Sequence, residues 1–241
     1  MISFLPILSG KFRAKKIRIL YFVVQSVGSL LILTGGAIAD RTSLFSKWVA
    51  IGLVLKASMA PLHFWGAVVI TKLKKLIVYV LLTWQKIAPL FLLMISTSKF
   101  LLYGIIVMNI IVASSCRLGS KHLLILLFFS GLMHICWLLS APLNVSVMYM
   151  TIYFIITTPL FLDTDSVNHP PLMINLAGLP PITGFFIKLS VLQQTRLRYS
   201  TILLLFRVTL IYAYIRVFII NINRKGKPHF ILLVCCIGPI F

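Results

Sequence analysis

Long apolar runs alternate with short polar segments along almost the whole chain. A helix needs roughly 20 predominantly apolar residues to cross a membrane. The pattern predicts eight clear spans and a shorter ninth. They lie near residues 17–39, 44–70, 76–97, 100–116, 122–141, 145–162, 171–194, 200–222 and 229–241. We therefore predict an all-α protein, a polytopic transmembrane helix bundle of about eight or nine spans.

The spans predict a single transmembrane domain covering residues 1–241, because no linker or change of composition marks a second one. A short N-terminal segment, 1–16, precedes a first half at 17–97. A second half follows at 100–222, and 229–241 is a short C-terminal helix.

Prolines interrupt two of the predicted spans. Pro61 lies in the second span, and Pro180 and Pro181 lie in the seventh. Proline removes a backbone donor and clashes with the preceding turn of a helix. Backbone groups freed in this way at membrane depth are tolerated only where they face protein or water. Broken helices at corresponding places in two halves are typical of transporters built from repeats.

The composition supports a membrane protein and gives it a strong positive charge. The chain is 60% hydrophobic and 11% charged, and its 23 Lys and Arg residues face three acidic residues, a net charge of +20. In a soluble protein this balance would suggest nucleic acid. Here most cations lie in short loops, where they set topology and meet anionic phospholipids such as cardiolipin. We expect no nucleic-acid partner.

The loop cations also predict an orientation. Thirteen Lys and Arg residues lie on the side of the N-terminus and five on the opposite side. Positive loops stay in the cytoplasm, or in the matrix of a mitochondrion. The larger set is Lys11, Arg13, Lys15, Lys16, Arg18, Lys72, Lys74, Lys75, Arg117, Lys121, Arg224, Lys225 and Lys227.

No motif in the chain holds a metal or a redox cofactor. The cysteines form no Cys-x-x-Cys pair and no cluster with iron–sulfur or zinc spacing. There is also no phosphate-binding loop and no dinucleotide fingerprint. We therefore expect neither a cofactor nor a metal in this chain, and no self-contained enzyme. The four cysteines are Cys116, Cys136, Cys235 and Cys236.

Three lysines lie inside predicted spans: Lys56, Lys86 and Lys188. A lysine at mid-membrane costs about 2.5–3.5 kcal/mol on insertion scales, so such residues are rare and mark ion or proton paths. Desolvation disfavours the charged ammonium, which allows it to gain and lose a proton. The alternative is structural, since a lysine can pair with another chain or extend its amine to the membrane interface.

Three further polar residues accompany these lysines. His63 follows Lys56 by seven residues, which places both on one face if the helix is regular. Gln85 can hold a water beside Lys86, and His134 lies in the middle of the fifth span. Both histidines suit a proton relay. A histidine satisfied by a backbone carbonyl at the helix break is an equally good interpretation of His63.

The other charged residues point away from a self-contained proton path. Arg207 and Arg216 lie in the eighth span and are interpreted as structural, Arg207 pairing with a lipid phosphate or another chain. The three acids are Asp40, Asp163 and Asp165, and none lies inside a span. An acidic partner for Lys56 must therefore come from another subunit, or be missing.

Four strings occur together in a fixed order. They are Lys56-Ala-Ser-Met-Ala-Pro61-Leu-His63-Phe64-Trp65, Leu82-Thr83-Trp84-Gln85-Lys86-Ile-Ala-Pro89, His134-Ile-Cys-Trp137 and Leu176-Ala-Gly178-Leu179-Pro180-Pro181-Ile-Thr-Gly184-Phe185-Phe186-Ile-Lys188. This set resembles the chain 2 family of mitochondrial NADH:ubiquinone oxidoreductase, respiratory complex I. The resemblance covers roughly residues 17–194.

The resemblance implies an antiporter-like subunit with two inverted repeats, each containing a broken helix. It implies proton translocation in the membrane arm of complex I, in the mitochondrial inner membrane with the N-terminus on the matrix side. The proton relay residues would be Lys56, Lys86, His134 and Lys188, joined in a central polar axis. The partners would be other membrane-arm subunits. Flavin, iron–sulfur clusters and ubiquinone would be bound by other subunits of the complex.

One departure from the family concerns the N-terminal region. The family starts with two further helices, one of which bears a glutamate that pairs with the first lysine. About 17 residues stand in for that region here, without a glutamate. The resemblance thus implies an N-terminally shortened copy. Two rival functions remain open: a structural scaffold subunit without a working proton channel, and a stand-alone cation/proton antiporter, which the short length and the lack of acidic ligands oppose.

Overall fold

The protein is all-helical in the part of the chain that the computed structural model describes, residues 14–37, 44–120, 122–162, 169–180, 182–195 and 197–225. The helices are α1 (Ala14–Ala37), α2 (Leu44–Lys56), α3 (Phe64–Ile70), α4 (Lys75–Leu82), α5 (Trp84–Ser96), α6 (Lys99–Gly119), α7 (Leu123–Ser140), α8 (Leu143–Leu162), α9 (His169–Ala177), α10 (Thr183–Gln194) and α11 (Leu197–Lys225). The predicted all-α bundle is confirmed.

Six helical stretches among the described residues are long and apolar enough to cross a membrane. They are α1, the pair α4 and α5, and then α6, α7, α8 and α11. The two spans predicted to be broken are each a pair of shorter helices, α2 with α3 and α9 with α10. The chain is therefore a multi-pass membrane protein. Pro181 and the predicted ninth span, 229–241, lie outside the described residues.

A third interruption was not predicted. The span expected near 76–97 divides at Thr83, whose backbone lies at φ −111° and ψ −82°, outside the helical region. Pro89 lies inside α5, six residues after the interruption. The amide and the hydroxyl of Thr83 both donate to the carbonyl of Tyr79, at 3.0 and 2.7 Å.

The chain forms two compact units, Met1–Val112 and Ala113–Phe241. In the first unit, α1 packs along α2 through glycines. A Cβ atom on Gly52 would lie 2.9 Å from the carbonyl oxygen of Gly28 and 3.1 Å from Cβ of Leu31. Small residues allow membrane helices to approach closely, and close approach is a main source of their packing energy. The other main contact of α2 in this unit is with α5.

In the second unit α7 lies at the centre. Every residue from Leu126 to Leu139 is buried. A helix that is apolar on all sides belongs in the interior of a bundle, and α8, α10 and α11 pack against it. The interrupted pair α9 and α10 contacts α8, and α9 also packs on α11. These contacts place the predicted polar residues of this unit among neighbouring helices.

The close packing of α1 on α2 is tested by Gly52→Ala. The added methyl would meet backbone of α1, so we expect the free energy of unfolding to fall by about 1–3 kcal/mol. Gly36→Ala is the matched control, because nothing lies within 4 Å of a Cβ atom there. The measurement is thermal unfolding of the purified protein in detergent. Equal midpoints for the two variants would contradict the packing described here.

Candidate functional site

The first interruption separates α2, which ends at Lys56, from α3, which begins at Phe64. Side chains bind the backbone groups that the helix no longer pairs. Trp65 donates from Nε1 to the carbonyl of Leu55 at 3.1 Å, and Gln25 donates from Nε2 to the carbonyl of Lys56 at 3.3 Å. The amide of Ala60 donates to Oδ1 of Asn109 at 2.9 Å. Side chains from three helices thus stabilise the interruption in the first unit.

Lys56 and Lys86 line one cavity beside this interruption, together with Gln85 and the backbone turn at Ala57 and Ser58. The cavity measures about 10 Å³, which is the room that about one water molecule needs. Lys86 is 4% exposed, whereas Lys56 is half-buried. The structure therefore brings together three of the polar residues predicted in the first half.

Helix α1 adds a residue to this group that the sequence analysis did not identify. The hydroxyl of Tyr21, which is buried, donates to Oε1 of Gln85. Tyr21, Gln25 and Gly28 lie at positions i, i+4 and i+7 and share one face of α1. That spacing was the signal that could have identified them. The face of α1 that contacts the lysine-bearing helices thus carries two polar side chains and a glycine.

His63 does not follow the geometry expected of a regular helix. Residues 57–63 are not helical, so a spacing of seven residues does not place His63 above Lys56. The ring is buried, with Nδ1 3.2 Å from the carbonyl oxygen of Pro61, and it lies against the ring of Phe64. This arrangement agrees with the interpretation of His63 as a histidine satisfied by a backbone carbonyl.

Asn175 of α9 connects α9 to α10 across the second interruption. Its Oδ1 accepts from the amide of Gly184 at 2.9 Å and from the hydroxyl of Thr183 at 3.1 Å, which caps the start of α10. Gly178 lies at φ +77°, a backbone conformation that favours glycine. A Cβ atom there would lie 2.9 Å from Cδ and 3.0 Å from Nζ of Lys188. Glycine at 178 therefore makes room for the lysine.

Lys188 is held inside the second unit. It is 1% exposed, and its Nζ donates to the carbonyls of Leu176 at 2.5 Å and Ala177 at 2.8 Å. These carbonyls belong to the last turn of α9, where no further turn of helix can pair them. The interpretation that Lys188 extends to the membrane interface does not fit this burial.

His134 and Lys188 line a second cavity, also of about 10 Å³, with Tyr149, Tyr153 and Asn175. Nδ1 of His134 lies 2.7 Å from the hydroxyl of Tyr149, and its ring lies 4.9 Å from the ring of Tyr153. The two tyrosines are four residues apart on α8 and so share a face. That spacing could have marked them, but sequence reasoning missed both.

Two of the three arginines described next, Arg117 and Arg207, differ from their sequence interpretation. Arg117, counted among the loop cations, is buried in the last turn of α6 and donates to the hydroxyl of Thr209 at 2.7 Å. Arg207 donates to the carbonyl of Gly178 at the second interruption. Arg216 donates to the carbonyl of Leu118 at 2.8 Å. All three therefore bind groups of this chain within the second unit.

The predicted relay residues thus form two local groups. Lys56 and Lys86 share a cavity in the first unit, and His134 and Lys188 share one in the second. Asp40, Asp163 and Asp165 lie outside the described residues, so the described part of the chain contains no carboxylate side chain. Backbone carbonyls accept hydrogen bonds from Lys188, Arg207 and Arg216 instead. A continuous axis that joins the two groups stays a prediction.

These features define a multi-pass helical membrane protein with buried lysines at its helix interruptions. The chain is similar to NADH-ubiquinone oxidoreductase chain 2 of Pongo abelii, with 26% identity over 261 residues, 90% of this chain and 75% of the relative. It is similar to the chain 2 of Lumbricus terrestris, with 28% identity over 240 residues, 85% of this chain and 71% of the relative. The resemblance inferred from the motifs is confirmed.

The fold is also similar to chains of two solved membrane complexes. A chain of respiratory complex I from Thermus thermophilus with bound aureothin superposes with a TM-score of 0.78 at 18% identity. A chain of the Mrp complex from Dietzia superposes with a TM-score of 0.74 at 15% identity. The protein covers 63% and 50% of these chains, less than two thirds of either. No family model matches the sequence.

The space that Gly178 leaves for Lys188 is tested by Gly178→Ala. A side chain at positive φ costs about 1–3 kcal/mol, and the methyl would displace the lysine. We expect a lower unfolding temperature in detergent than for Gly119→Ala, a site with nothing within 4 Å of an added Cβ atom. An unfolding temperature as high as that of the control would show that position 178 does not require glycine.

The hydroxyl of Tyr21 is tested by Tyr21→Phe, which removes the hydrogen bond to Gln85 and little else. One such bond contributes about 0.5–1.5 kcal/mol to stability. We expect a loss in that range by thermal unfolding. Tyr212→Phe should have no measurable effect, because Tyr212 is 56% exposed. Identical unfolding of the two variants would argue against a role for the Tyr21 hydroxyl.

Proposed function

We propose that this chain is a membrane-arm subunit of respiratory complex I and contributes to the proton translocation that accompanies electron transfer from NADH to ubiquinone. One observation carries the proposal. Each compact unit contains an interrupted helix, and each interruption lies beside a small cavity lined by a buried lysine. Buried lysines in a membrane protein are expensive and mark ion paths. The similarity to chain 2 relatives supports the assignment to complex I.

The chemistry proposed for these groups is proton exchange. An ammonium beside a cavity the size of one water can pass its proton to that water and regain one from the other side. Lys86 would exchange with Lys56 through the first cavity, where Gln85 can hold the water. Lys188 would exchange with His134 through the second, where Tyr149 lies within hydrogen-bond distance of the imidazole.

The same proposal implies the partners, the membrane and the orientation of the chain. The partners would be other membrane-arm subunits, in the mitochondrial inner membrane with the N-terminus on the matrix side. Anionic phospholipids such as cardiolipin would bind the positive loops. Flavin, iron–sulfur clusters and ubiquinone would be bound by other subunits, and this chain would carry no redox centre.

A structural scaffold subunit is the second candidate, and one observation favours it. Two backbone carbonyls bind the amine of Lys188, so this lysine can serve as a cap for the end of α9 without ever exchanging a proton. The two functions differ in what happens when a lysine is replaced by an uncharged residue of similar size.

Lys86→Met is the test. Loss of a positioned proton-transfer group lowers a rate by about 100-fold or more, so we expect coupled proton pumping to fall strongly while the complex still assembles. Lys99→Met is the matched control, because Lys99 is exposed at the start of α6. The measurement is pH change in proteoliposomes during NADH oxidation. Normal pumping by an assembled Lys86→Met complex would favour the scaffold.

A further inference from the structure

Two cations bind three successive carbonyls at the end of α9. Lys188 takes the carbonyls of Leu176 and Ala177, at 2.5 and 2.8 Å, and Arg207 takes the next one, that of Gly178. The last carbonyls of a helix carry partial negative charge and have no partner within the helix. The end of α9 is thus covered by two side chains from different helices, α10 and α11.

The guanidinium of Arg207 also reaches the other side of the interruption. Its Cζ lies 5.4 Å from the ring centroid of Phe185, which belongs to the first turn of α10. A guanidinium within about 6 Å of an aromatic ring is attracted to its face. Arg207 therefore binds the end of α9 and the start of α10 together, from a third helix that is continuous through this region.

The geometry of Lys188 depends on that junction. Its two acceptors directly precede the carbonyl that Arg207 binds, and Gly178 lies against the end of the lysine side chain. Among the described residues, the polar and aromatic groups that line the cavity beside Lys188 are Asn175, His134, Tyr149 and Tyr153.

We propose that Arg207 is a positioning residue for Lys188: it joins α9 to α10 at the interruption and thereby fixes the two carbonyls that hold the lysine amine. The inference rests on the proposed function, in which Lys188 exchanges protons. Arg207 itself does not transfer a proton in this scheme. The planar guanidinium suits the task, because it can donate a hydrogen bond and lie over a ring at the same time.

The test compares Arg207→Met, Arg207→Lys and Lys188→Met in the intact complex reconstituted into liposomes. The readout is protons pumped per NADH oxidised by assembled complex. We expect Arg207→Met to lower pumping by about tenfold, as for the loss of a charge-assisted hydrogen bond. Arg207→Lys, which keeps a donor for the Gly178 carbonyl, should recover most of the pumping. Arg216→Met is the control, since Arg216 lies on the same helix and binds Leu118 instead.

A double variant separates action through Lys188 from an independent effect. If Arg207 acts through Lys188, Arg207→Met should add nothing to Lys188→Met, because the effects of coupled residues do not add. Additive losses would overturn the inference. Normal pumping by Arg207→Met, with Lys188→Met impaired, would overturn it as well. Failure of both Arg207 variants to assemble would assign Arg207 a purely structural role.

A different result would refute the proposed function. Normal pumping by an assembled Lys188→Met complex would refute proton exchange at Lys188, whatever the Arg207 variants do. The experiment therefore distinguishes an error in the role of Arg207 from an error in the function of the second unit.

Discussion

Backbone groups freed by an interrupted helix must find partners inside the protein, because lipid offers none. The rest of this structure depends on how that requirement is met. At the first interruption the partners are the side chains of Trp65, Gln25 and Asn109. At the second they are Lys188 and Arg207. Each set comes from more than one helix, so the interruptions also determine which helices pack together and where polar side chains can be buried.

The same requirement explains why lysines are tolerated here. A buried ammonium in a membrane needs acceptors, and the described part of the chain contains no carboxylate to supply them. The carbonyls at the end of α9 supply them for Lys188, while Lys86 and Lys56 lie beside a cavity next to the turn at Ala57 and Ser58. Among the described residues, carbonyls rather than a carboxylate hold the amine of Lys188, which suits the proposed proton exchange.

Much of the fold could be predicted from the sequence, because spans, proline interruptions and buried lysines are local features of the chain. The rest could not, because it depends on contacts between distant segments. Tyr21 reaches Gln85 across 64 residues, and Arg207 reaches Gly178 across 29. A tyrosine or an arginine within a predicted span does not by itself indicate its partner in the fold. For that reason Arg207 was interpreted as a lipid or subunit contact. The condition under which His63 and Lys56 would share a face, a regular helix, is not met, because residues 57–63 leave the helix.

The most direct test of proton exchange at the lysines is a structure of the intact complex at a resolution that shows ordered water. The two cavities each have room for about one water molecule. We expect ordered water within hydrogen-bond distance of Lys86 in the first cavity, and of both Lys188 and His134 in the second. Dry cavities, closed by apolar side chains or by lipid, would contradict proton exchange at these sites.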